Sequence, residues 1–147
     1  MPHYKNILVA IDCSKVDNII LNHLSPLALK LGATLHLLHI VHSHTLDQDR
    51  HLRQQALTIL DGYSKKLQTA GIETAVLIRS GEPETEIINE IDQHPYDLLA
   101  MATHGHNLPE RIIFGSVSRT LRCIRWIRFP VPMPVCWCIA LIMIGTA

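Results

Sequence analysis

The stretch Asn6-Ile-Leu-Val-Ala-Ile-Asp12 decides the fold class of this chain. An unbroken apolar run that ends at an acid is typical of a strand buried on both faces of a parallel sheet. Further apolar runs occur at 34–41, 74–79 and 97–102, and segments with helical spacing separate them. Strands that alternate with helices predict right-handed crossovers and a parallel α/β sheet with helices on both faces.

The segments between these strands carry start and end signals of helices. Ser14 is placed to cap the first helix and Gly32 to end it, while Pro26 predicts a kink or a restart within it. Gly71 is expected to end a long second helix, and Pro83 to occupy the first position of a third. The sequence therefore predicts three helices before the fourth strand ends.

Composition narrows the class of protein. With 147 residues, 48% of them apolar, the chain has the length and the core material of one domain. A formal net charge of zero argues against a nucleic-acid partner, which requires excess cationic charge. We find no signal-peptide pattern and no apolar run of about 18 residues, so we expect a cytoplasmic protein that does not span a membrane. The four cysteines are expected to be reduced thiols without a metal.

The topology itself indicates where a ligand binds. In open parallel sheets, ligands bind outside the carboxyl ends of the strands, next to the point where the strand order reverses. Asp12 follows the first strand, and the segment from Thr103 follows the fourth. Further on, Gly115-Ser116 begins a predicted helix, whose free amides and dipole favour an anion such as phosphate. The alternative is that Ser116 only caps its own helix and Gly105 only turns the chain.

With Gly105, Gly115 and Ser116 in this spacing, the chain resembles the ATP-binding branch of the universal stress protein family. The branch motif is glycine, two residues, glycine, nine residues, glycine, then serine or threonine, and Ala102 here replaces the first glycine. The resemblance extends over residues 3–124. It implies a flavodoxin-like, three-layer fold with five parallel strands in the order 3-2-1-4-5, a homodimer, and an adenine nucleotide as ligand, either ATP, with Mg²⁺, or AMP.

The resemblance also implies which residues contact the nucleotide. Asp12 is expected at the ribose or the adenine side, the backbone of Ile40 at the adenine, and the glycine-serine segment at the phosphates. No residue is assigned as catalytic or as a metal ligand, and the predicted cofactor-binding set is Ala10, Ile11, Asp12, Ile40, Met101, Ala102, His104, Gly105, Gly115, Ser116 and Val117. Ala102 and Leu108 depart from the family pattern, and both affect the predicted phosphate loop.

Three functions agree with these features. The preferred one is a nucleotide-binding module with a regulatory or stress-response role. A weak ATPase or phosphoryl-transfer enzyme is the first alternative, although no motif places the groups that orient a nucleophile in such enzymes. A dimerisation module that no longer binds nucleotide is the second alternative, and Ala102 and Leu108 favour it.

The C-terminal residues depart from the family most clearly. Residues 1–128 are predicted to form the nucleotide-binding domain, and 129–147 an atypical tail. Prolines at 130, 132 and 134 cannot donate to a ladder of hydrogen bonds, so pairing is expected only beyond them. The apolar run 135–144 is the candidate for the fifth strand.

Overall fold

The structure is a computed structural model that describes residues 4–102, 126–128 and 139–143. The strands are β1 (Asn6–Ile11), β2 (Thr34–Val41), β3 (Thr74–Ser80), β4 (Leu98–Ala102), β5 (Trp126–Arg128) and β6 (Ile139–Met143). The helices are α1 (Val16–Leu31), α2 (Leu46–Thr69) and α3 (Pro83–Gln93). The first four strands agree with their predicted bounds to within one residue, because each is an apolar run bounded by turn residues.

The strands form one sheet in the order β3-β2-β1-β4-β6-β5. β1 is parallel to β2 and to β4, and β2 is parallel to β3. This arrangement confirms the α/β fold and the order 3-2-1-4. The carboxyl ends of β1, β2 and β4 consequently lie at the same edge of the sheet.

The fifth position of the sheet differs from the prediction. β6 fills it, as expected for the run 135–144, but it is antiparallel to β4, with Leu98 opposite Met143 and Ala102 opposite Ile139. β5, which was not predicted, pairs antiparallel with β6 at the edge. The ten residues between β5 and β6 are fewer than the dozen or so that a crossover between parallel strands requires, which favours the antiparallel pairing. The prediction of five parallel strands is therefore wrong for the fifth, whereas the boundary between residues 128 and 129 stays a prediction.

The start of α1 also differs from the prediction. Lys15, not Ser14, occupies the N-cap position, and its side chain makes no capping hydrogen bond. Ser14 belongs instead to the preceding turn, where its amide donates to the carboxyl of Asp12. The helix continues through Pro26 without a restart, since the missing hydrogen bond falls on an exposed part of the helix. Gly32 ends α1 in the left-handed conformation, with φ of 60°, as predicted.

Apolar side chains fill both faces of the sheet. On the face covered by α1 and α2, alternate residues of the strands pack against the helices, and the fully buried ones include Ile7, Val9, Ile20, Leu24, Leu35, Leu37 and Leu60. On the other face, α3 packs on a second cluster that consists of Leu8, Leu38, Ile87, Ile91, Tyr96, Leu99 and Met101. A sheet covered on both faces is a rigid support for groups at its carboxyl edge.

A buried carboxylate fixes the end of α3. Glu90 is 3% exposed, and it accepts hydrogen bonds from the Tyr96 hydroxyl at 2.7 Å and from Arg79 Nη2 at 2.9 Å. His94 Nδ1 lies 3.1 Å from the same carboxyl group. Burial alone would raise the pKa of Glu90, but the hydrogen bonds from Tyr96 and Arg79 outweigh it and hold the pKa below its usual value. Glu90 therefore acts as an ionised link between α3, β3 and the segment before β4.

Candidate functional site

A cleft of about 450 Å³ opens at the carboxyl edge of the sheet, outside the ends of β1 and β2. Helix α2 forms one wall, and the first turns of α3 reach it from the other face of the sheet. The lining residues are Ala10, Ile11, Asp12, Cys13, Leu38, His39, Ile40, Val41, His42, Leu52, Gln55, Ala56, Ile59, Pro83 and Ile87. Four residues of the predicted set, namely Ala10, Ile11, Asp12 and Ile40, are therefore brought together here.

The chemistry of the cleft is that of a binding site for a small, mainly apolar group. Aliphatic side chains from the strands and from α2 dominate the walls, and one of them, Ile59, is 38% exposed. The polar side chains are few, and they include Asp12, His39 and Gln55. Volumes of about 300–1,000 Å³ with apolar walls and a few polar groups are typical of small-molecule sites.

Asp12 lines the cleft from the turn that follows β1. Its Oδ1 accepts the backbone N–H of Ser14 at 2.9 Å, and its own N–H lies 3.3 Å from Asp17 Oδ1. Cys13 adopts a φ of 61°, a left-handed backbone conformation that closes this turn. The other oxygen, Asp12 Oδ2, is buried and has no hydrogen-bond partner among the described residues.

Asp17 lies behind Asp12 in the first turn of α1. It is 1% exposed, and its Oδ2 is likewise buried without a hydrogen-bond partner in the described part of the chain. Burial, followed by the charge of Asp12, raises the pKa of Asp17 to about 7. At neutral pH the Asp17 carboxyl is therefore protonated in a large fraction of the molecules.

Sequence reasoning missed Asp17, although the sequence holds a signal for it. Its spacing from Ile20, Leu21 and Leu24 places it on the buried stripe of α1 rather than on the solvent side. An acid inside an apolar stripe is unusual and indicates a specific partner.

His39 and Cys13 form the floor of the cleft. His39 Nδ1 lies 2.8 Å from the carbonyl oxygen of Ile11, and because a carbonyl only accepts, this nitrogen carries the hydrogen. Cys13 Sγ lies 3.6 Å from the same nitrogen. Burial, followed by the charges of Asp17 and Asp12, raises the pKa of Cys13 to about 12. The thiol is therefore protonated at neutral pH and is a poor nucleophile.

The remaining predicted residues divide into two groups. The side chain of Met101 is 2% exposed and packs in the core beneath α3 instead of lining the cleft, while Ala102 is the last residue of β4 at the same edge. The predicted phosphate segment, with His104, Gly105, Leu108, Gly115, Ser116 and Val117, lies outside the described residues.

Two further results concern the described residues alone. Within residues 4–102, 126–128 and 139–143, no three histidine, cysteine, aspartate or glutamate side chains come together as a metal site. Across those same ranges, every helix is too short or too polar to cross a membrane.

Comparison with known proteins gives one consistent result. Residues 3–123 match the model of the universal stress protein family. A relative from Staphylococcus aureus (strain USA300), named as a universal stress protein, is 27% identical over 134 residues, which cover 80% of this chain and 77% of the relative. The structure of universal stress protein UspA from Lactobacillus plantarum superposes with a TM-score of 0.64 at 25% identity, covering 82% of this chain and 92% of that one.

A solved structure with a bound nucleotide shares the fold. An Arabidopsis thaliana protein of the universal stress protein family, solved with AMP bound, superposes with a TM-score of 0.53. It is 19% identical, and the alignment covers 75% of this chain and 84% of that one.

Proposed function

Because the chain belongs to the universal stress protein family, we propose that its cleft binds the adenosine part of an adenine nucleotide, either ATP or AMP, in a regulatory or stress-response role. The observation that carries this proposal is the cleft itself, which lies at the carboxyl ends of β1 and β2 with Asp12 among its lining residues. The AMP bound by the Arabidopsis relative of the same fold supports the choice of nucleotide.

The residues of the cleft fit the base and the sugar in different ways. The aliphatic walls, which include Ile40 and Ile59, offer apolar surface to the two faces of a purine. Asp12 offers carboxylate oxygen to the hydroxyls of a ribose, and an acidic side chain is a common partner of ribose in nucleotide-binding α/β sheets. The cleft therefore favours an arrangement in which the purine lies between the apolar walls and the ribose contacts Asp12.

The phosphate half of the proposal depends on the sequence motif. Gly105, Gly115, Ser116 and Val117 are proposed to hold the phosphates through backbone amides and the serine hydroxyl. Mg²⁺ bound with ATP would neutralise part of the phosphate charge. Ala102 carries a methyl group that the family's glycine at this position lacks, so we propose that the affinity for ATP is lower than with glycine there.

We propose binding rather than turnover as the function of the site. The cysteine thiol on its floor is held protonated, which makes covalent chemistry at Cys13 unfavourable. We further propose a homodimer, as the family resemblance implies. Light scattering on purified protein should then give twice the 16.6 kDa of one chain.

The test of the proposed function compares two substitutions on the same helix. Ile59 lines the cleft, whereas Leu57, 46% exposed, does not, and both are solvent-accessible aliphatic residues of α2. Ile59→Glu places a negative charge beside the nucleotide and should weaken ATP and AMP binding at least tenfold, about 1.4 kcal/mol. Leu57→Glu should leave binding unchanged.

Binding is measured by isothermal titration calorimetry, with circular dichroism to confirm that both variants fold. Native mass spectrometry of freshly purified parent protein should also detect retained nucleotide. If the parent binds neither ATP nor AMP, or if both variants bind as the parent does, the cleft is not the site.

A further inference from the structure

We propose that Asp17 is a positioning residue of this site: it holds a proton between its own carboxyl group and that of Asp12, and so fixes Asp12 for a ribose hydroxyl. This inference rests on the proposed function, since it assigns Asp12 to the sugar. It gives nucleotide binding a dependence on pH that the cleft alone does not predict.

The hydrogen bonds of the two carboxyl groups carry the argument. Each group has one oxygen that accepts a backbone N–H, from Ser14 to Asp12 Oδ1 and from Asp12 to Asp17 Oδ1. Each group also has one buried oxygen, Oδ2, without a partner among the described residues. Two ionised carboxylates would repel each other at this buried position, where the Tyr63 phenol is a donor that faces Asp17. One proton shared between the two neighbouring side chains removes this repulsion and joins the carboxyl groups.

The surroundings of the pair favour the protonated form. Cys13 from the turn and Tyr63 from α2 face it, and His39 from β2 lies behind Cys13. β4 contributes the apolar residues Leu98 and Ala100 to the core on the same face of the sheet. Burial, followed by the charges of Asp17, Cys13 and Asp12, raises the pKa of Tyr63 to about 12, so the phenol is neutral at physiological pH. The thiol of Cys13 is neutral as well.

Loss of the shared proton disturbs the Asp12 carboxyl group, which is the proposed acceptor of the ribose hydroxyl. When Asp17 ionises, two negative charges face each other in a buried place, and Asp12 is the more exposed of the two groups. Repulsion then turns the Asp12 carboxyl away from the position in which it accepts the Ser14 amide. If nucleotide binding requires the shared proton, affinity falls above about pH 7, approaching tenfold for each pH unit.

The test measures ATP affinity by calorimetry between about pH 6 and about pH 8.5, where this proton is lost. In Asp17→Asn, the amide donates the same hydrogen bond to Asp12 at every pH, so the steep decrease seen in the parent should disappear. Asp61→Asn is the matched control, because Asp61 is an exposed aspartate of α2 that pairs only with Lys65 at 2.9 Å in the described contacts. It should keep the pH profile of the parent. The titration of ATP itself is common to all three proteins and cancels in the comparison.

A second measurement follows the protonation of Asp17 itself and does not depend on nucleotide binding. Carbon-13 spectra of the aspartate carboxyl groups in the parent should show one group that titrates near neutral pH and is missing in Asp17→Asn. If all aspartates of the parent titrate below about pH 5, or if Asp17→Asn retains the binding profile of the parent, the positioning role is refuted. A parent protein that binds no nucleotide at any pH refutes the proposed function, and the positioning role with it.

Discussion

Replacing Asp17 with asparagine should make the folded protein more stable above neutral pH and remove much of its sensitivity to rising pH. The pKa of Asp17 is raised from its ordinary value of 3.8 to about 7 in the folded chain. Between these values the folded state binds more protons than the unfolded state, so stability falls as the pH rises. The free energy of unfolding falls by up to about 1.4 kcal/mol for each pH unit, and its total decrease is on the order of 4 kcal/mol. Asparagine does not ionise, and it keeps both hydrogen bonds with Asp12.

Urea unfolding followed by circular dichroism measures this effect. The parent, Asp17→Asn and the exposed control Asp61→Asn are compared at intervals from about pH 4 to about pH 8.5, which span the pKa values of folded and unfolded Asp17. The parent and the control should lose stability relative to Asp17→Asn as the pH rises, and the difference should level off above about pH 8. The histidines titrate in all three proteins, so their contribution cancels in the differences. Parallel curves for the parent and Asp17→Asn would refute the shared proton.

Four further predictions concern Glu90, Ser116 and Leu141. Glu90→Ala leaves a buried hydroxyl and a guanidinium without their carboxylate, so it should lower the unfolding free energy by roughly 3 kcal/mol, whereas Asp92→Ala on the same helix should cost much less. Since the pKa of Glu90 is lowered, its stabilisation is present above the usual glutamate pKa, and Glu90→Gln should reduce the loss of stability on acidification. Ser116→Ala should weaken ATP binding by roughly 1–3 kcal/mol in calorimetry, with Ser118→Ala as the control. Leu141→Pro removes a backbone donor from β6, between β4 and β5, and should lower the melting temperature; an unchanged value would contradict this pairing.

The strands were predictable because burial on both faces leaves an unbroken apolar run in the sequence. Strands β1 and β2 show this directly, and the acid after β1 marked the edge at which a ligand binds. The direction of β6 was not predictable in this way, because an apolar run carries no information on which neighbour a strand pairs with or in which sense. The direction of β6 depends on the short connection between β5 and β6. β5 itself was hard to predict because it is only three residues long.

The cleft was predictable only in part. Asp12 follows from the topology, because it lies at the end of β1, and Ile40 follows from the family resemblance. Ile59 and Gln55 do not, because their position over the carboxyl edge depends on how α2 lies across the sheet, which packing and not periodicity determines. Asp17 was not predicted as a site residue because an acid in the first turn of a helix is normally explained by the helix dipole, which requires no buried partner.

The two halves of the proposed site can be separated with ligands alone. Adenosine carries the base and the sugar but no phosphate, so its binding depends on the cleft and on Asp12, and not on Gly115 and Ser116. If Asp17 acts through Asp12, adenosine should show the same decrease in affinity above about pH 7 as ATP does, although it has no titrating phosphate of its own. If the decrease appears with ATP and is absent with adenosine, the protonation acts on the phosphates, and Asp12 is not the group that Asp17 positions.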